Sequence, residues 1–294
     1  MMSVDVAVVP VAGRGTRLLP LTKSQPKEML PVGQKPVVQH VAEELANSGI
    51  YRMLFITGPG KTAIENHFDT NDELIRNLRE GGHEDLLGTL AFEREQLEYF
   101  YTRQRRQLGL GHAILCARPM VSQESFVVAL GDSIVGMYAQ SQIVRRMTEL
   151  FEQEQADAVI AFEKVPAEDV VHYGIANIGK NHGSFFELND LVEKPDVADA
   201  PSQFAVAARY VFRPRIFECL DQTSAGKGNE IQLTDAIGRM INDGGRVLGI
   251  SLATAERRFD IGNFPSYFRA FIEFALADPE HGAELEEFVR EQLR

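Results

Sequence analysis

Tryptophan is absent from this chain of 294 residues, and cysteine occurs only at Cys116 and Cys219. Neither cysteine stands at a spacing typical of a metal site, and both lie in apolar, helix-like contexts. The two could form one disulfide, but two buried, reduced thiols are the expected state.

Positive charge is scarce, with 30 lysine and arginine residues against 42 acidic ones and a formal net charge of −12. Such an acidic chain is a poor candidate for nonspecific binding to nucleic acid or to a membrane surface. It can still bind phosphates if its few cations gather in one cleft beside a divalent metal. We therefore expect neither a nucleic-acid partner nor a membrane partner.

Long hydrophobic runs are missing too, since no stretch of about 18 apolar residues occurs. The apolar run at the N-terminus has no basic flank and is too short for a signal sequence, so we expect a cytoplasmic protein. The hydrophobic share of 44% and the charged share of 24% are typical of globular proteins. No linker divides the chain, so we expect one domain over residues 1–294, with a core at about 3–278 and a helical arm at about 279–294.

The first elements follow a βαβ order. Residues 4–11 are almost all apolar and β-branched, which predicts a strand buried on both faces. A loop rich in glycine and proline follows, and residues 36–48 then predict a helix with Pro36 at its start and Gly49 just past its end. Residues 52–57 predict the next strand, as expected for a parallel sheet.

Strands and helices alternate along the rest of the chain. Further strands are predicted at 98–102, 126–130, 158–162 and 247–252, and further helices at 111–118, 141–155, 231–242, 264–277 and 283–293. Short segments between 174 and 212, separated by Gly, Asn and Pro, predict antiparallel strands. The predicted fold class is α/β: a Rossmann-like, doubly wound mixed sheet with a small antiparallel extension and a helical C-terminal arm.

A glycine-containing turn follows the first predicted strand directly. Gly13 and Gly15 would let backbone N–H groups approach a phosphate or a base without an intervening side chain. The turn is not a dinucleotide-binding fingerprint, because Leu18 stands where the third glycine belongs. The later run Gly60-Lys61-Thr62 imitates the end of a P-loop but lacks its first glycine, so we interpret it as a turn before a helix.

Cations cluster just after the glycine turn. Arg17, Lys23 and Lys27 lie in one proline-punctuated stretch, where Pro20 and Pro26 disfavour a continuous helix and predict an ordered coil. Doubly wound folds bind ligands beyond the carboxyl ends of their strands, which is where this coil is predicted to lie. A solvated basic loop is the alternative, and the net charge of −12 makes it the weaker one.

The glycine turn and the basic stretch together resemble the motif of nucleotidyltransferases that make nucleoside diphosphate sugars. The Pro-Lys-Glu-Met-Leu-Pro form is that of the bacterial UTP–glucose-1-phosphate uridylyltransferases. The matching positions read Gly13-x-Gly15-Thr16-Arg17-x-x-Pro20-x-Thr22-Lys23-x-x-Pro26-Lys27-Glu28-Met29-Leu30-Pro31. Five further segments match in the same order: 64–69, 109–113, 192–195, 229–237 and 260–263.

The resemblance implies the nucleotide-diphospho-sugar transferase fold and a Mg²⁺-dependent reaction. UTP and glucose 1-phosphate would give UDP-glucose and pyrophosphate, through in-line attack of the sugar phosphate on the α-phosphorus of UTP. No covalent enzyme intermediate is implied, since such chemistry needs positioning and charge neutralisation more than a protein nucleophile. The family also implies a homodimer or a homotetramer.

Catalytic roles are carried over onto matching positions. Arg17 and Lys27 are expected to hold the triphosphate and the departing pyrophosphate, and Lys194 to hold the sugar phosphate. Asp132, which closes a predicted buried strand, and Asp260 are expected to bind Mg²⁺, a hard cation that prefers oxygen ligands. Without the resemblance, either aspartate could simply belong to a turn.

Nucleotide-binding roles follow in the same way. Gly15 belongs to the phosphate-facing turn, and the backbones of Ala12 and Gly13 are expected to meet the uracil. The Gln104 side chain and Gly109 are expected to join them, because an amide can both donate and accept along the edge of uracil. Taken alone, Gln104 could be merely exposed among its arginine neighbours.

Three further residues complete the predicted site. Glu28 is expected either to order its loop or to contact the nucleotide. Glu193 is expected to accept hydrogen bonds from glucose hydroxyls, and Gly174 to leave room for the sugar. The alternative for Glu193 is a surface pair with the lysine that follows it.

Departures from the family pattern leave other functions open. Val11 replaces the first of two usual alanines, and Phe264 stands where a lysine is common. One alternative keeps the fold but uses dTTP or another hexose 1-phosphate. Another is a catalytically idle relative that binds UDP-sugars and regulates a partner.

Overall fold

The computed structural model describes residues 4–93 and 97–294. Residue 3, where the core was predicted to begin, and residues 94–96, in a segment that matches the family poorly, lie outside the described residues. Within the described ranges, no helix is both long enough and apolar enough to span a bilayer.

The described residues form short strands and helices in alternation. The strands are β1 (Val6–Pro10), β2 (Pro31–Val32), β3 (Lys35–Pro36), β4 (Arg52–Thr57), β5 (Glu98–Arg103), β6 (Phe126–Ala129), β7 (Ser133–Val135), β8 (Ala158–Lys164), β9 (Gly174–Asn181), β10 (Phe186–Glu193), β11 (Phe204–Phe212), β12 (Val247–Ser251) and β13 (Arg258–Asp260). The helices are α1 (Val37–Asn47), α2 (Thr62–Phe68), α3 (Asp72–Glu80), α4 (Leu110–Leu115), α5 (Arg118–Val121), α6 (Ile143–Gln153), α7 (Ile216–Asp221), α8 (Leu233–Asn242), α9 (Phe264–Leu276) and α10 (Gly282–Gln292).

Most predicted elements are found within two residues of their predicted ends. The predicted helix at 111–118 is wrong as one element, because α4 ends at Leu115 and α5 begins at Arg118. Pro119 lies in the first turn of α5, and a proline there cannot continue the preceding helix without a clash with the carbonyl of Leu115. The helices α3 and α7 and the short strands β7 and β13 were not predicted.

The main sheet has nine strands in the described part of the chain, in the order β5-β4-β1-β6-β11-β8-β12-β10-β9. The first four run parallel to one another. Strand β11 is antiparallel to its two neighbours in this order, β6 and β8. Helices cover both faces of β1, so Val9 belongs to the same hydrophobic core as Val41 of α1, and Val8 to the same core as Ile114 of α4 on the other face. The predicted mixed, doubly wound sheet is confirmed.

The order β4-β1-β6 contains a topological switch point. The chain leaves β1 toward β4 on one side and returns through β6 on the other, so the loops after β1 and β6 diverge around a crevice. The loop after β1 starts at Val11, and Gly131-Asp132 follows β6. The fold therefore brings the two predicted phosphate and metal segments to the same edge of the sheet.

The predicted antiparallel extension is also confirmed. Strands β9 and β10 form a hairpin at the far edge of the sheet, in which Gly174 is opposite Glu193. Ala205 of β11 pairs with Ile175 of β9, so the extension continues from the central sheet.

Strand β11 contains an irregularity at its centre. It pairs with β8 in one register up to Val206 and in another from Tyr210, and Ala208 between them has a left-handed backbone with a φ of +59°. The carbonyl of Ala208 accepts a hydrogen bond from the N–H of Leu130 at 3.1 Å, next to the end of β6. The irregularity thus attaches β11 to the segment that carries Asp132.

The next residue, Arg209, forms a fully buried ion pair. Its guanidinium donates to both carboxylate oxygens of Glu44 in α1, at 3.1 and 2.5 Å, and to the carbonyl of Ser133 at 2.9 Å. Burial raises the pKa of Glu44, although the charge of Arg209 and its hydrogen bonds oppose that rise. This pair therefore joins β11, α1 and β7 in the interior.

The two cysteines are free thiols, but their burial differs. Cys219 in α7 is buried, while Cys116 is only half-buried because it lies at the break between α4 and α5. The prediction of a buried thiol is therefore wrong for Cys116. Burial raises the pKa of both thiols, which lowers their reactivity.

Removal of the Glu44 carboxylate should destabilise the fold strongly. We expect Glu44→Ala to lower the free energy of unfolding by about 3–5 kcal/mol, because it leaves the Arg209 guanidinium buried and uncompensated. Glu43→Ala is the matched control, since Glu43 pairs with the more exposed Lys35 and should cost less than about 1 kcal/mol. Chemical denaturation measures both, and equal losses would contradict the role given to the buried pair.

Candidate active site

A cleft of about 610 Å³ opens at the switch point, where β1 and β6 end. Nine of the predicted site residues line it. They are Ala12, Gly13, Gly15, Arg17, Lys27, Glu28, Gln104, Gly109 and Asp132. Gln107, Glu230 and Gly262 line it as well and were not predicted.

The two glycines after β1 leave space for the basic stretch that follows. A Cβ at Gly13 would lie 3.5 Å from Cε of Lys27. Gly15 has a φ of +66°, and a Cβ there would lie 3.1 Å from the Thr22 methyl. A side chain at Gly15 would therefore be strained and would crowd Thr22, whereas a Cβ at Gly13 would only contact Lys27.

The proline-punctuated stretch is ordered, as predicted, although it is not coil throughout. It forms three single turns of 3-10 helix, at Thr16–Leu18, Leu21–Lys23 and Lys27–Met29. The prolines between them prevent one continuous helix. The last turn places Lys27 and Glu28 side by side, with partners on different elements.

Lys27 forms an ion pair with Asp132, which joins the loop after β1 to the segment after β6. Burial alone would raise the pKa of Asp132, but the charge and hydrogen bond of Lys27 outweigh it, so this pKa lies below its ordinary value. Burial likewise lowers the pKa of Lys27, and Asp132 and Glu28 reverse the effect and raise it. Both groups are therefore charged at neutral pH.

Asp260 lies beside Asp132 because β13 pairs with β7. Asp260 is opposite Ser133 in this small sheet, and the N–H of Ile261 donates to the carbonyl of Asp132 at 3.4 Å. Burial, and then the negative charge of Asp132, raise the pKa of Asp260. Two neighbouring carboxylates of this kind offer hard oxygen ligands to a cation.

Glu28 lines the cleft and forms an ion pair with Lys61, which does not line it. Its Oε2 accepts a hydrogen bond from Nζ of Lys61 at 2.7 Å, and both side chains are almost fully buried. Burial raises the pKa of Glu28, against the lowering effects of Lys61 and Lys27. The predicted turn at Lys61 before a helix is confirmed, since α2 begins at Thr62, but the pairing with Glu28 was not predicted.

The opposite end of the cleft is built around Gln104, which is buried rather than exposed. Its amide nitrogen donates to the carbonyl of Gly109 at 3.0 Å and lies 3.0 Å from Nδ1 of His112. Burial lowers the pKa of His112, which favours the neutral ring that can accept this hydrogen. Gly109 has a φ of +96°, and a Cβ there would lie 2.7 Å from Cβ of Glu230.

Gln107 also fixes this end of the cleft. Its amide nitrogen donates to the carbonyl of Ala12 at 2.6 Å, and its amide oxygen accepts a hydrogen bond from Arg14. The glycine turn after β1 is thereby tied to the loop after β5. Nothing in the local sequence around Gln107 distinguishes it from its polar neighbours.

The remaining predicted residues form a second group on the antiparallel extension. Gly174 is opposite Glu193, and Nζ of Lys194 lies 3.0 Å from Oε1 of Glu193. Lys194 has a left-handed backbone with a φ of +46°, and its N–H donates to the carbonyl of Tyr173 at 2.9 Å. Glu193 also lines a second cavity of about 790 Å³ between β10 and α8.

Arg258 connects the two groups. Its guanidinium lies over the Tyr173 ring at 4.6 Å from the centroid, and its Nε donates to Glu163 at 2.5 Å. Arg258 precedes Asp260 by two residues, and Tyr173 precedes Gly174. Strand β13 and the hairpin of β9 and β10 are thus held to one another. Arg258 lies two positions before the predicted site residue Asp260, but no sequence pattern indicated that it would contact Tyr173.

Comparisons with known proteins agree with this arrangement. A family model described as nucleotidyl transferase matches residues 6–275. The chain is similar to the UTP–glucose-1-phosphate uridylyltransferase of Staphylococcus epidermidis, with 40% identity over 291 residues and coverage of 99% of each chain. It is also similar to the UTP–glucose-1-phosphate uridylyltransferase YngB of Bacillus subtilis, with 42% identity, covering 98% of this chain and 95% of that protein.

Solved structures show the same architecture. A UTP-bound UGPase from Acinetobacter baumannii superposes with a TM-score of 0.88 at 36% identity, covering 98% of this chain and 99% of the other. A UDP-glucose pyrophosphorylase complexed with UDP-glucose superposes with a TM-score of 0.82 at 35% identity, covering 92% of this chain and 98% of the other. The predicted nucleotide-diphospho-sugar transferase fold is confirmed.

Proposed function

The chain belongs to the nucleotidyl transferase family, and we propose that it transfers the uridylyl group of UTP to glucose 1-phosphate. The products are UDP-glucose and pyrophosphate. The observation that carries this proposal is the pairing of Lys27 with Asp132 at the switch point, with Asp260 beside them. That arrangement provides a cation and two carboxylates where a triphosphate and its metal would meet.

The phosphates of UTP lie along the glycine turn and the basic stretch. Backbone N–H groups at Gly13 and Gly15 face the triphosphate, and Arg17 and Lys27 neutralise its charge. The sugar phosphate oxygen attacks the α-phosphorus in line, and pyrophosphate leaves toward these cations. The protein contributes by positioning and by electrostatic stabilisation of the transition state.

We assign Asp132 and Asp260 to one Mg²⁺ ion. Burial, and then the negative charge of ionised Asp132, raise the pKa of Asp260, and a divalent cation between the two carboxylates would relieve their repulsion. A pair of carboxylates suits Mg²⁺, which typically binds one or two carboxylates together with water and substrate phosphates. When bound, the ion supplies charge neutralisation at the phosphates.

The uracil lies at the end of the cleft lined by Gln104 and Gly109. The backbones of Ala12 and Gly13 form one side of this pocket, and Glu28 contributes a carboxylate to its wall. The buried, hydrogen-bonded state of Gln104 supports this assignment, since a fixed amide can read the edge of a base.

The sugar phosphate is held by Lys194, and the hexose by Glu193 above Gly174. A Cβ at Gly174 would lie 2.9 Å from the Thr234 methyl and 3.6 Å from Oε2 of Glu193. The glycine therefore accommodates Thr234 and keeps the Glu193 carboxylate accessible. The left-handed backbone of Lys194 turns the chain immediately after β10, while its Nζ stays within 3.0 Å of Oε1 of Glu193.

We assign these activities to one nucleotidyltransferase domain over residues 1–294, with a core at about 3–278 and the arm at about 279–294. One sheet carries both residue groups, which supports a single unit. The free thiols of Cys116 and Cys219 suit the reducing cytoplasm that we propose as its location.

We further assign the C-terminal helices to a homodimer or homotetramer contact. Phe268 and Ile272 of α9, one turn apart, are 54% and 53% exposed, and Phe288 of α10 is 55% exposed. Large apolar side chains grouped on a surface often mark an interface between protein chains.

Pyrophosphate release tests the reaction and the substrate together. With Mg²⁺ and a panel of hexose 1-phosphates, we expect rapid release only with UTP and glucose 1-phosphate. Equal turnover of dTTP, or preference for another hexose, would keep the mechanism and overturn the substrate. No release by a folded chain that still binds UDP-glucose would favour the regulatory alternative and direct attention to Phe264.

Replacement of Lys194 should depress turnover far more than it affects folding. We expect Lys194→Ala to lower kcat by about 100- to 1000-fold, because a charged contact to the reacting phosphate is lost. Lys180→Ala, on the exposed part of the same hairpin, serves as the control and should leave kcat unchanged. Steady-state kinetics measure both, and an unaffected rate in Lys194→Ala would mean that the phosphate is held elsewhere.

Charges on the exposed face of α9 should dissociate the oligomer. We expect Phe268→Glu combined with Ile272→Glu to give a monomer in sedimentation-velocity experiments, whereas the unaltered chain sediments as a dimer or a tetramer. Leu74→Glu changes an exposed leucine on α3 and should leave the assembly intact. If the unaltered chain sediments as a monomer, the assignment of the C-terminal helices to an oligomer contact is wrong.

A further inference from the structure

We propose that Lys61 is a positioning residue for the nucleotide cleft, whose buried ammonium group holds the Glu28 carboxylate in place at the cleft wall. This inference rests on the proposed function, because it concerns how the cleft receives the uridine of its substrate. It adds to the site a residue from a segment that otherwise only imitates a P-loop.

The contact is short and enclosed. Nζ of Lys61 lies 2.7 Å from Oε2 of Glu28, and the two side chains are 6% and 1% exposed. Within the part of the chain that the structure describes, Glu28 lines the cleft but Lys61 does not. Lys61 therefore acts through Glu28 rather than on the nucleotide.

The turn that carries Lys61 also supports the glycine turn after β1. A Cβ at Gly58 would lie 3.3 Å from the carbonyl oxygen of Ala12, so the two backbones pack closely. The N–H of Ile64 donates to the carbonyl of Lys61 at 2.9 Å, which fixes Lys61 at the start of α2. The turn between β4 and α2 thus contacts two residues that line the cleft, Ala12 and Glu28.

The charges around Glu28 indicate what the ammonium group contributes. Burial raises the pKa of Glu28, Lys61 and Lys27 lower it, and Asp132 raises it. Lys27 is already paired with Asp132. Without Lys61, the Glu28 carboxylate would compete with Asp132 for Lys27 or take up a proton, and either change alters the wall that the base meets.

The sign of the pH effect follows from these charges. Loss of Lys61 removes the largest lowering influence on the pKa of Glu28, so that pKa rises further. Burial disfavours the charged carboxylate, so Glu28 takes up a proton at a higher pH in that variant than in the unaltered chain. A protonated Glu28 accepts hydrogen bonds poorly, so ligand binding by the variant should weaken as the pH falls.

The experiment measures binding of UDP-glucose by calorimetry at about pH 6 and pH 8, because the diphosphate of this product does not titrate there. We expect nearly constant affinity in the unaltered chain. In Lys61→Met we expect affinity roughly tenfold lower at the acidic end, as for the loss of one hydrogen bond to a charged group. The double variant Glu28→Gln with Lys61→Met should show no pH dependence, since its pair is neutral.

A second measurement follows Glu28 directly. Carbon-13 NMR of labelled glutamate carboxyls should show a higher pKa for Glu28 in Lys61→Met than in the unaltered chain. Lys61→Gln keeps a hydrogen-bond donor but has no charge, so it should also raise the pKa of Glu28. It replaces Lys61→Met in both measurements if that variant fails to fold. Lys35→Met removes the cation of a surface pair and is the matched control, with no expected effect on affinity.

The outcomes separate the inference from the proposed function. An unmoved pKa of Glu28, or affinity that stays independent of pH while that pKa rises, would overturn the role of Lys61. Failure of the unaltered chain to bind UDP-glucose at any pH would overturn the proposed function, and the inference with it.

Discussion

The buried ion pair of Arg209 and Glu44 is the interaction on which the arrangement of the cleft depends. The Arg209 guanidinium donates a hydrogen bond to the carbonyl of Ser133. The carbonyl of Ala208, the residue before Arg209, accepts a hydrogen bond from the N–H of Leu130. The two residues that flank Gly131-Asp132 are therefore fixed from one strand. The same segment also positions Asp260, because Asp260 is opposite Ser133 in the pairing of β13 with β7. Together with the ion pair of Lys27 and Asp132, this anchor sets the position of both carboxylates relative to the loop after β1.

Burial of charge governs the rest of the cleft. A carboxylate removed from water needs a cation close by, and Asp132 has Lys27 while Glu28 has Lys61. Asp260 differs from both, because among the described residues it forms no ion pair, and burial followed by the charge of Asp132 raises its pKa. The cleft thus carries an excess of negative charge at one point, beside cations suited to phosphate. In the proposed reaction, this uneven distribution would orient a metal-bound triphosphate more specifically than a uniformly basic surface would.

The order of elements, the parallel βαβ start and the antiparallel extension could be predicted because they depend on local periodicity and on glycine and proline. The cleft-lining position of Lys27 also followed from a motif that is contiguous in sequence, and those of Gln104 and Asp132 from the resemblance to the family. The pairings that hold those residues did not, because each joins distant segments. Lys61 meets Glu28 across 33 positions and Arg209 meets Glu44 across 165. Only the packing of α1 and α2 against the sheet brings these partners together.

The irregularity at Ala208 has a consequence for how this strand can change length in evolution. Four residue steps on β11, from Val206 to Tyr210, span two on β8, so the strand carries two extra residues. An even number preserves the alternation of faces, and Val206 before the irregularity belongs to the same hydrophobic core as Tyr210 after it. An insertion or deletion of a single residue here would exchange the faces of half the strand and turn Arg209 away from Glu44. Relatives should therefore differ in β11 length by pairs of residues.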